Sequence, residues 1–119
     1  MSVEPRAGFS EGITELSVLY LTTTGRKTGL PREIEIWFVA SDGKLYILAE
    51  LFHKAHWLQN IERHPRVRVR LGDREFGATA RVLDRKRDGE TWRLAQELAR
   101  KKYGWGQGLP VEITPDVTL

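Results

Sequence analysis

The stretch that decides the fold prediction is residues 22–32, which read TTTGRKTGLPR. It lies between an apolar run at 16–21 and an alternating run at 33–39, which is typical of a connection between two strands. A hairpin needs only two to five residues with one glycine. Here the glycines would let backbone N–H groups converge on an anion, threonine hydroxyls would donate to its oxygens, and Arg26 and Lys27 would neutralise it. We therefore predict a phosphate-binding loop, with a basic surface turn as the alternative.

Two common phosphate loops do not fit this stretch. The nucleoside-triphosphate loop needs a glycine directly before its lysine, and Arg26 occupies that place, with Thr22 where the earlier glycine belongs. The dinucleotide loop opens a helix, and Pro31 with the alternating run after it indicates a strand instead. An anion loop between two strands remains.

Length and composition limit the class of protein. A chain of 119 residues holds one hydrophobic core, and we expect a flexible N-terminal arm at 1–12 and a single domain at 13–119. No apolar run is long enough for a membrane span and no secretory signal pattern is present, so we expect a cytoplasmic location. The absence of cysteine excludes disulfides and thiolate chemistry. An excess of 19 Lys+Arg over 16 Asp+Glu favours an anionic ligand, with weak nucleic-acid binding as the alternative.

The turn at 41–44 predicts a hairpin with a defined register. Its sequence, SDGK, is a strong signal for a two-residue turn. Counting outward from the turn places Phe38 opposite Ile47 and Val39 opposite Tyr46, apolar against apolar on both faces.

A second hairpin is predicted around Gly72 and Asp73. Its register places Val69 opposite Phe76 and Arg70 opposite Glu75. The alternation leaves one row of cations pointing away from the core, which we interpret mainly as a solvated face: Arg66, Arg68 and Arg70.

Two helices complete the predicted fold. The first covers 53–63 with Trp57 on its buried side and stops before Pro65. The second opens at Asp88, ends at Gly104 and carries one apolar stripe of Trp92, Ala95, Leu98, Ala99 and Tyr103. With a last strand at 110–114, five or six mostly antiparallel strands and two helices indicate an α+β, mainly β domain, and closure into a small barrel would remove most sheet edges.

The chain lacks the usual catalytic constellations. His53 and His56 have no third ligand nearby, so we expect no metal site, and no serine stands in a nucleophile elbow. We assign no catalytic side chain and expect a bound cofactor to bring the chemistry. Five aromatic residues suit either a planar ring or core packing: Trp37, Tyr46, Trp57, Tyr103 and Trp105. The segment 105–108, WGQG, predicts a flexible aromatic loop.

These motifs resemble one known family. The sequence GRKTGLPR at 25–32, Trp37 and Phe38 on the next strand, and Trp57-x-x-Asn60-Ile61-x-x-x-Pro65-x-Val67 look like the deazaflavin-dependent nitroreductase and quinone reductase family. The similarity spans roughly residues 19–81 in unbroken order. It implies an FMN-binding split-barrel-like fold and hydride transfer from C5 of reduced coenzyme F420 to a quinone, nitro or other activated acceptor.

The resemblance also implies roles for individual residues. The phosphate and acidic tail of F420 would be held by Arg26, Lys27, Thr28, Gly29 and Arg32. Trp57 and Asn60, near the helix that closes the pocket, would also bind the cofactor. We place the acceptor near Tyr103 and Trp105. The family's Gly-rich insert before this helix is shortened here to residues 50–56, and its tyrosine-rich acceptor segment is reduced to 103–105.

Three further expectations stay open on the sequence. The same fold with FMN in place of F420 is the nearest alternative, because both cofactors carry a phosphate. A non-catalytic module that binds an anion or nucleic acid through the arginine row is the second. The arginine-rich sheet and exposed tryptophans are compatible with a homodimer. As partners we expect a small-molecule electron acceptor and no nucleic acid, and we expect no integral membrane segment.

Overall fold

A computed structural model describes residues 12–13 and 15–119. The flexible arm predicted for 1–12 lies outside the described residues, apart from Gly12. Within the described part, the chain forms seven strands, two α-helices and one 3-10 turn. In chain order these are β1 (Val18–Thr24), β2 (Pro31–Trp37), β3 (Val39–Ser41), β4 (Lys44–Ala49), the 3-10 turn (Phe52–Lys54), α1 (His56–Arg63), β5 (Arg66–Leu71), β6 (Arg74–Val82), α2 (Gly89–Tyr103) and β7 (Leu109–Pro115).

The strands form one sheet in the order β2-β1-β5-β6-β7-β4-β3. Every pairing is antiparallel. β2 and β3 follow one another in the chain with only Phe38 between them, yet they occupy opposite edges of the sheet. The sheet must therefore curl until its two edges meet. This geometry confirms the predicted α+β, mainly β split barrel.

The break at Phe38 corrects one predicted register. Val39 pairs with Tyr46 as predicted, but the predicted pairing of Phe38 with Ile47 is wrong, because the chain leaves the ladder at Phe38. The run at 33–39 is thus two strands rather than one. The β5–β6 register is confirmed, with Val69 opposite Phe76.

The backbone of Phe38 finds its hydrogen bonds outside the sheet. Phe38 is only 1% exposed, so its N–H and C=O need partners within the protein. The Tyr103 hydroxyl accepts a hydrogen bond from the Phe38 N–H at 3.0 Å and lies 2.7 Å from the Phe38 carbonyl oxygen. Lys102 Nζ donates to the same carbonyl oxygen at 3.0 Å. The same hydroxyl is 2.6 Å from the carbonyl oxygen of Ser17. The end of α2 therefore fastens the point where the barrel closes.

Two element boundaries differ from the prediction. β1 begins at Val18 and runs to Thr24, so the connection between β1 and β2 shortens to residues 25–30, which we call the anion loop. The predicted helix at 53–63 is split by Ala55, an extended residue, into the 3-10 turn and α1.

The outer face of β1 is covered by Arg70, whose guanidinium lies 4.0 Å from the centroid of the Tyr20 ring.

The second helix matches its prediction closely. Asp88 is its N-cap residue, and Gly104 ends it in the left-handed conformation at φ 79°. Trp92, Ala95 and Ala99 are buried, which confirms the apolar stripe. No helix in residues 12–13 and 15–119 combines the length and apolarity that a bilayer crossing requires.

The predicted row of arginines faces solvent and is paired with carboxylates. Arg66 bonds Asp116, Arg68 lies 3.9 Å from Glu75, and Arg70 lies 3.7 Å from Glu33. Pairing of this kind lowers the positive potential that an extended nucleic acid needs.

We predict that Tyr103→Phe destabilises the fold by about 1–3 kcal/mol, because the buried polar groups of Phe38 lose a partner. The stacking ring is kept, so the change isolates the hydroxyl. Tyr20→Phe is the matched control, since the Tyr20 hydroxyl bonds Glu35 on the surface, and its urea midpoint should stay almost unchanged. Equal midpoints for the two variants would show that the Phe38 contacts do not hold the barrel together.

Candidate functional site

One cleft gathers nearly all the residues predicted for the site. Its volume is about 1150 Å³. The anion loop, β2, the start of α1 and the end of α2 contribute to its walls, and among the lining residues are Arg26, Lys27, Thr28, Arg32, Trp57, Asn60, Tyr103 and Trp105. Gly29 is the exception, because it lines a separate hollow of about 350 Å³.

The anion loop is built differently from the prediction. The Gly25 N–H donates to the Leu30 carbonyl and the Gly29 N–H to the Gly25 carbonyl, both at 2.8 Å. The Leu30 N–H donates to Thr28 Oγ1 at 3.2 Å. Because the glycine amides are used within the loop, they do not converge on an anion. Among the loop amides, those of Lys27 and Thr28 donate to no described residue.

The three threonines before the loop also serve the scaffold rather than the cleft. Thr23 is buried and accepts a hydrogen bond from Asn60, and Thr22 and Thr24 line the separate hollow. The prediction that these hydroxyls donate to a bound anion is therefore wrong. The anion loop therefore presents the side chains of Arg26 and Lys27 to the cleft.

The two glycines allow the loop to close on itself. A Cβ on Gly25 would lie 2.7 Å from Thr28 Oγ1 and 3.2 Å from the Leu30 carbonyl oxygen. Gly29 adopts φ 73°, which strains residues with a side chain. The glycines thus fix the path of the backbone that presents Arg26 and Lys27.

Arg26 is positioned from behind by α1. Asn60 Oδ1 accepts from both the backbone N–H and Nη1 of Arg26, each at 3.0 Å. Asn60 is buried, and its Nδ2 donates to Thr23 Oγ1 at 3.1 Å. Asn60 also lines the cleft, so its predicted cofactor contact stays a prediction, and in the structure its oxygen is occupied by Arg26. A preorganised guanidinium loses less entropy when it binds an anion.

His56 was not among the predicted site residues. Its Nδ1 lies 3.2 Å from Arg26 Nη2, and its side chain lines the cleft. The signal that could have found it is its spacing, because residues 56 and 60 are four apart and share one face of α1.

The cleft carries an excess of positive charge. Its lining carboxylates are Glu35 and Glu50, and its lining cations are Arg26, Lys27, Arg32 and Lys54. None of these four cations forms an ion pair with a carboxylate of the described residues. Unpaired cations in a concave site concentrate positive potential and attract an anion.

Aromatic rings line the part of the cleft at the other end of β2. Trp37 stacks on Tyr103 with ring centroids 4.4 Å apart and an angle of 4°. Trp37 remains 48% exposed, so one face of its ring is open to a ligand. Arg32 and Trp37 are five residues apart on β2, which corresponds to about 17 Å along a strand. The sequence left Trp37 undecided between core packing and ligand contact.

The loop that carries Trp105 is tightly packed. Gly106 and Gly108 are buried, and a Cβ on Gly106 would overlap the Gln96 carbonyl oxygen. A Cβ on Gly108 would lie 2.8 Å from the Trp105 ring. These glycines serve close packing, where the sequence suggested flexibility, and they hold Trp105 against the cleft.

The family profile of F420H(2)-dependent quinone reductases matches residues 4–114. The chain belongs to this family. A solved structure of an F420-H2 dependent reductase, FDR-A, is 29% identical, with 81% of this chain and 91% of that chain covered and a TM-score of 0.58. A structure described as a domain-swapped dimer is also 29% identical, with 89% and 87% covered and a TM-score of 0.59. The heme storage protein HutZ from Vibrio cholerae, at 20% identity, 85% and 82% coverage and a TM-score of 0.70, is similar in fold.

The family decides between the two cofactors. The chain is an F420-dependent oxidoreductase, and F420 rather than FMN is its coenzyme. The alternative of a non-catalytic anion- or nucleic-acid-binding module is therefore wrong. The cleft of this quinone reductase family member fits F420, because it is lined by four cations that pair with no described carboxylate and by a stacked aromatic pair, which suit a phosphate-bearing chain and a planar ring. Among the described residues no three His, Asp or Glu side chains are grouped as metal ligands.

We predict that Asn60→Ala weakens F420 binding at least tenfold and lowers the free energy of unfolding by about 1–3 kcal/mol, since Arg26 and the buried Thr23 lose their partner. Fluorescence titration and urea denaturation measure the two effects. Gln59→Ala is the control, because Gln59 bonds only the His53 carbonyl at the surface. Unchanged F420 affinity in Asn60→Ala would mean that the position of Arg26 does not depend on Asn60.

Proposed function

We propose that this enzyme reduces a quinone or another planar, electron-poor acceptor such as a nitro compound. The observation that carries the proposal is one cleft along β2. Cations that pair with no described carboxylate lie around Arg32 at one end, and the open ring face of Trp37 lies at the other. This arrangement separates a charged subsite from an aromatic one along the same wall.

The cationic subsite holds the phosphate and the acidic tail of the coenzyme. Arg26 is the fixed member of this subsite, because Asn60 and His56 hold its guanidinium. Lys27 and Arg32 are exposed and add charge. The Thr28 hydroxyl keeps its proton available, since it only accepts a hydrogen bond from the Leu30 N–H. Gly29 contributes through the backbone shape of the anion loop.

The aromatic subsite aligns the acceptor. When bound, reduced F420 supplies a hydride from C5, and a quinone takes that hydride and one solvent proton to become a hydroquinone. Trp37 offers a flat surface for the acceptor, while Trp57 and Trp105 bound the space around it. Apolar walls at Val39, Leu48 and Ala55 reduce the water near the reacting rings. Proximity of this kind can supply several kcal/mol of the barrier reduction without a catalytic acid or base.

Tyr103 supports this subsite in a different way from the one we predicted. Its hydroxyl is bonded to the Phe38 and Ser17 backbone, and burial raises the pKa of Tyr103, so the phenol stays protonated. Its ring stacks under Trp37. We therefore propose that Tyr103 positions Trp37 and contacts the acceptor only through its ring.

A homodimer is also proposed. Its support is that a 29% identical structure is described as a domain-swapped dimer. The single domain at 13–119 and the cytoplasmic location stay predictions from the sequence.

The phosphate assignment is tested by changing Arg26 and Lys27 together to Ala. Two charge-assisted contacts are worth roughly 1.5–3 kcal/mol each, so F420 affinity should fall about a hundredfold or more. The control removes the same charge at Arg85 and Lys86, an exposed pair outside the cleft, and should bind F420 normally. If both double variants titrate like the wild-type protein, the anion loop is only a basic surface turn.

The acceptor assignment is tested separately from the cofactor assignment. Trp37→Ala and Trp105→Ala should each raise the KM for a quinone or lower kcat, with kcat/KM falling about fivefold or more, roughly 1 kcal/mol. F420 affinity should stay within about threefold, or 0.7 kcal/mol. Steady-state kinetics at saturating reduced F420 measures the first effect and fluorescence titration the second. Equal losses in both measurements would move these tryptophans into the cofactor subsite.

A further inference from the structure

His56 stands at the meeting point of the anion loop and α1. It is the first residue of α1, it is exposed, and it lines the cleft. Arg26 Nη2 lies 3.2 Å from its Nδ1. A guanidinium is always protonated and has only donors, so Nδ1 must accept. The imidazole in this arrangement is therefore neutral, with its proton on Nε2.

The surroundings of His56 offer it donors and cations rather than hydrogen-bond acceptors. A protonated imidazole has two donors and no acceptor, so the contact with Arg26 would be lost. A cation at the N-terminus of a helix is also unfavourable. The remaining charged groups that line the cleft with His56 are mostly cations: Arg26, Lys27, Arg32 and Lys54 against Glu35 and Glu50.

A bound phosphate would change each of these surroundings of His56. It supplies an acceptor for the imidazole and compensates both the neighbouring cations and the helix end. Protonation of His56 also releases Nη2 of Arg26, which then turns from the imidazole to the phosphate. We infer that His56 is a direct ligand of the coenzyme's phosphate and takes up a proton when F420 binds. This inference rests on the proposed placement of the phosphate at the anion loop.

The direction of the pH dependence follows from linkage. If the complex binds one more proton than the free protein, affinity rises as pH falls. We expect F420 to bind about tenfold more tightly at about pH 5.5 than at about pH 8. His53 lies outside the cleft lining and its Nδ1 is 3.5 Å from Glu62, so it does not take part.

The decisive variant is His56→Gln. A glutamine amide oxygen can accept from Arg26 but does not titrate, so the contact with Arg26 can persist while the proton uptake is removed. Fluorescence titration of F420 from pH 5.5 to pH 8 should give an affinity ratio about tenfold larger for the wild-type protein than for His56→Gln. Ionisable groups of F420 affect both proteins equally and cancel in this comparison. His53→Gln should keep the wild-type profile.

NMR of the histidine ring provides a second readout. The Cε1–H signal of His56 is identified by its absence from the spectrum of His56→Gln. At pH 7, saturation with F420 should move this signal toward the position of protonated imidazole. A signal that stays neutral, together with identical pH profiles in wild-type and His56→Gln proteins, overturns the role of His56. If Arg26→Ala/Lys27→Ala binds F420 normally, the phosphate placement itself fails, and the two failures are thereby distinguished.

Discussion

The fold depends on one buried residue, Phe38, at which the chain leaves one edge of the sheet and begins the other. A single-residue connection between opposite edges is possible only if the sheet curls and its edges approach. Phe38 lies outside the ladder and inside the core, so its backbone would be unsatisfied without partners from another element. Tyr103 and Lys102 supply these partners from the end of α2. Lys102 Nζ also lies 3.9 Å from the centroid of the Phe38 ring, and burial lowers the pKa of Lys102. The contacts that close the barrel are therefore the same contacts that place the end of α2.

The same closure builds the aromatic half of the site, while the cationic half depends on α1. Trp37 is the last residue of β2, and the stacking of its ring on Tyr103 follows directly from the contacts that fasten Phe38. Arg26 is held by Asn60, whose own geometry is fixed by Thr23 on β1. Each subsite thus inherits its rigidity from a buried polar contact between a helix and a strand. A ligand that spans both subsites meets two preorganised ends, which reduces the entropy lost on binding.

Signals between neighbours in the sequence predicted the helices and strands, whereas the arrangement of the site depends on contacts between residues far apart in the chain. Alternation, turn residues and the cap at Gly104 gave the registers and α2, because these depend on neighbours in sequence. The break at Phe38 was missed, since a period of two continues through a residue that leaves the sheet, and its partner Tyr103 is 65 residues away. The role of Asn60 was missed for a similar reason. The spacing of the sequence shows which face of α1 Asn60 occupies. That this face contacts the anion loop depends on the closed barrel, which the spacing does not show. Arg26, Lys27 and Arg32 line one cleft, and their contact with the coenzyme stays a prediction. The hydrogen bonds of the glycine amides were not predicted, because loop closure competes with a ligand for the same N–H groups.

The cleft differs from the arginine row in how its charges are paired. The arginine row is matched with carboxylates, and the buried carboxylate of Glu112 lies beside Arg81, Lys44 and the Tyr46 hydroxyl. Burial and the Glu112 charge raise the pKa of Tyr46, so that hydroxyl remains a donor. The four cations that line the cleft form no ion pair with a described carboxylate, and the concave wall brings them together. Their mutual repulsion disfavours the protein without ligand, and a bound polyanion removes it. A ligand that binds only the folded state stabilises it, so with the coenzyme at the proposed cationic subsite we expect the stability of the barrel to rise on binding.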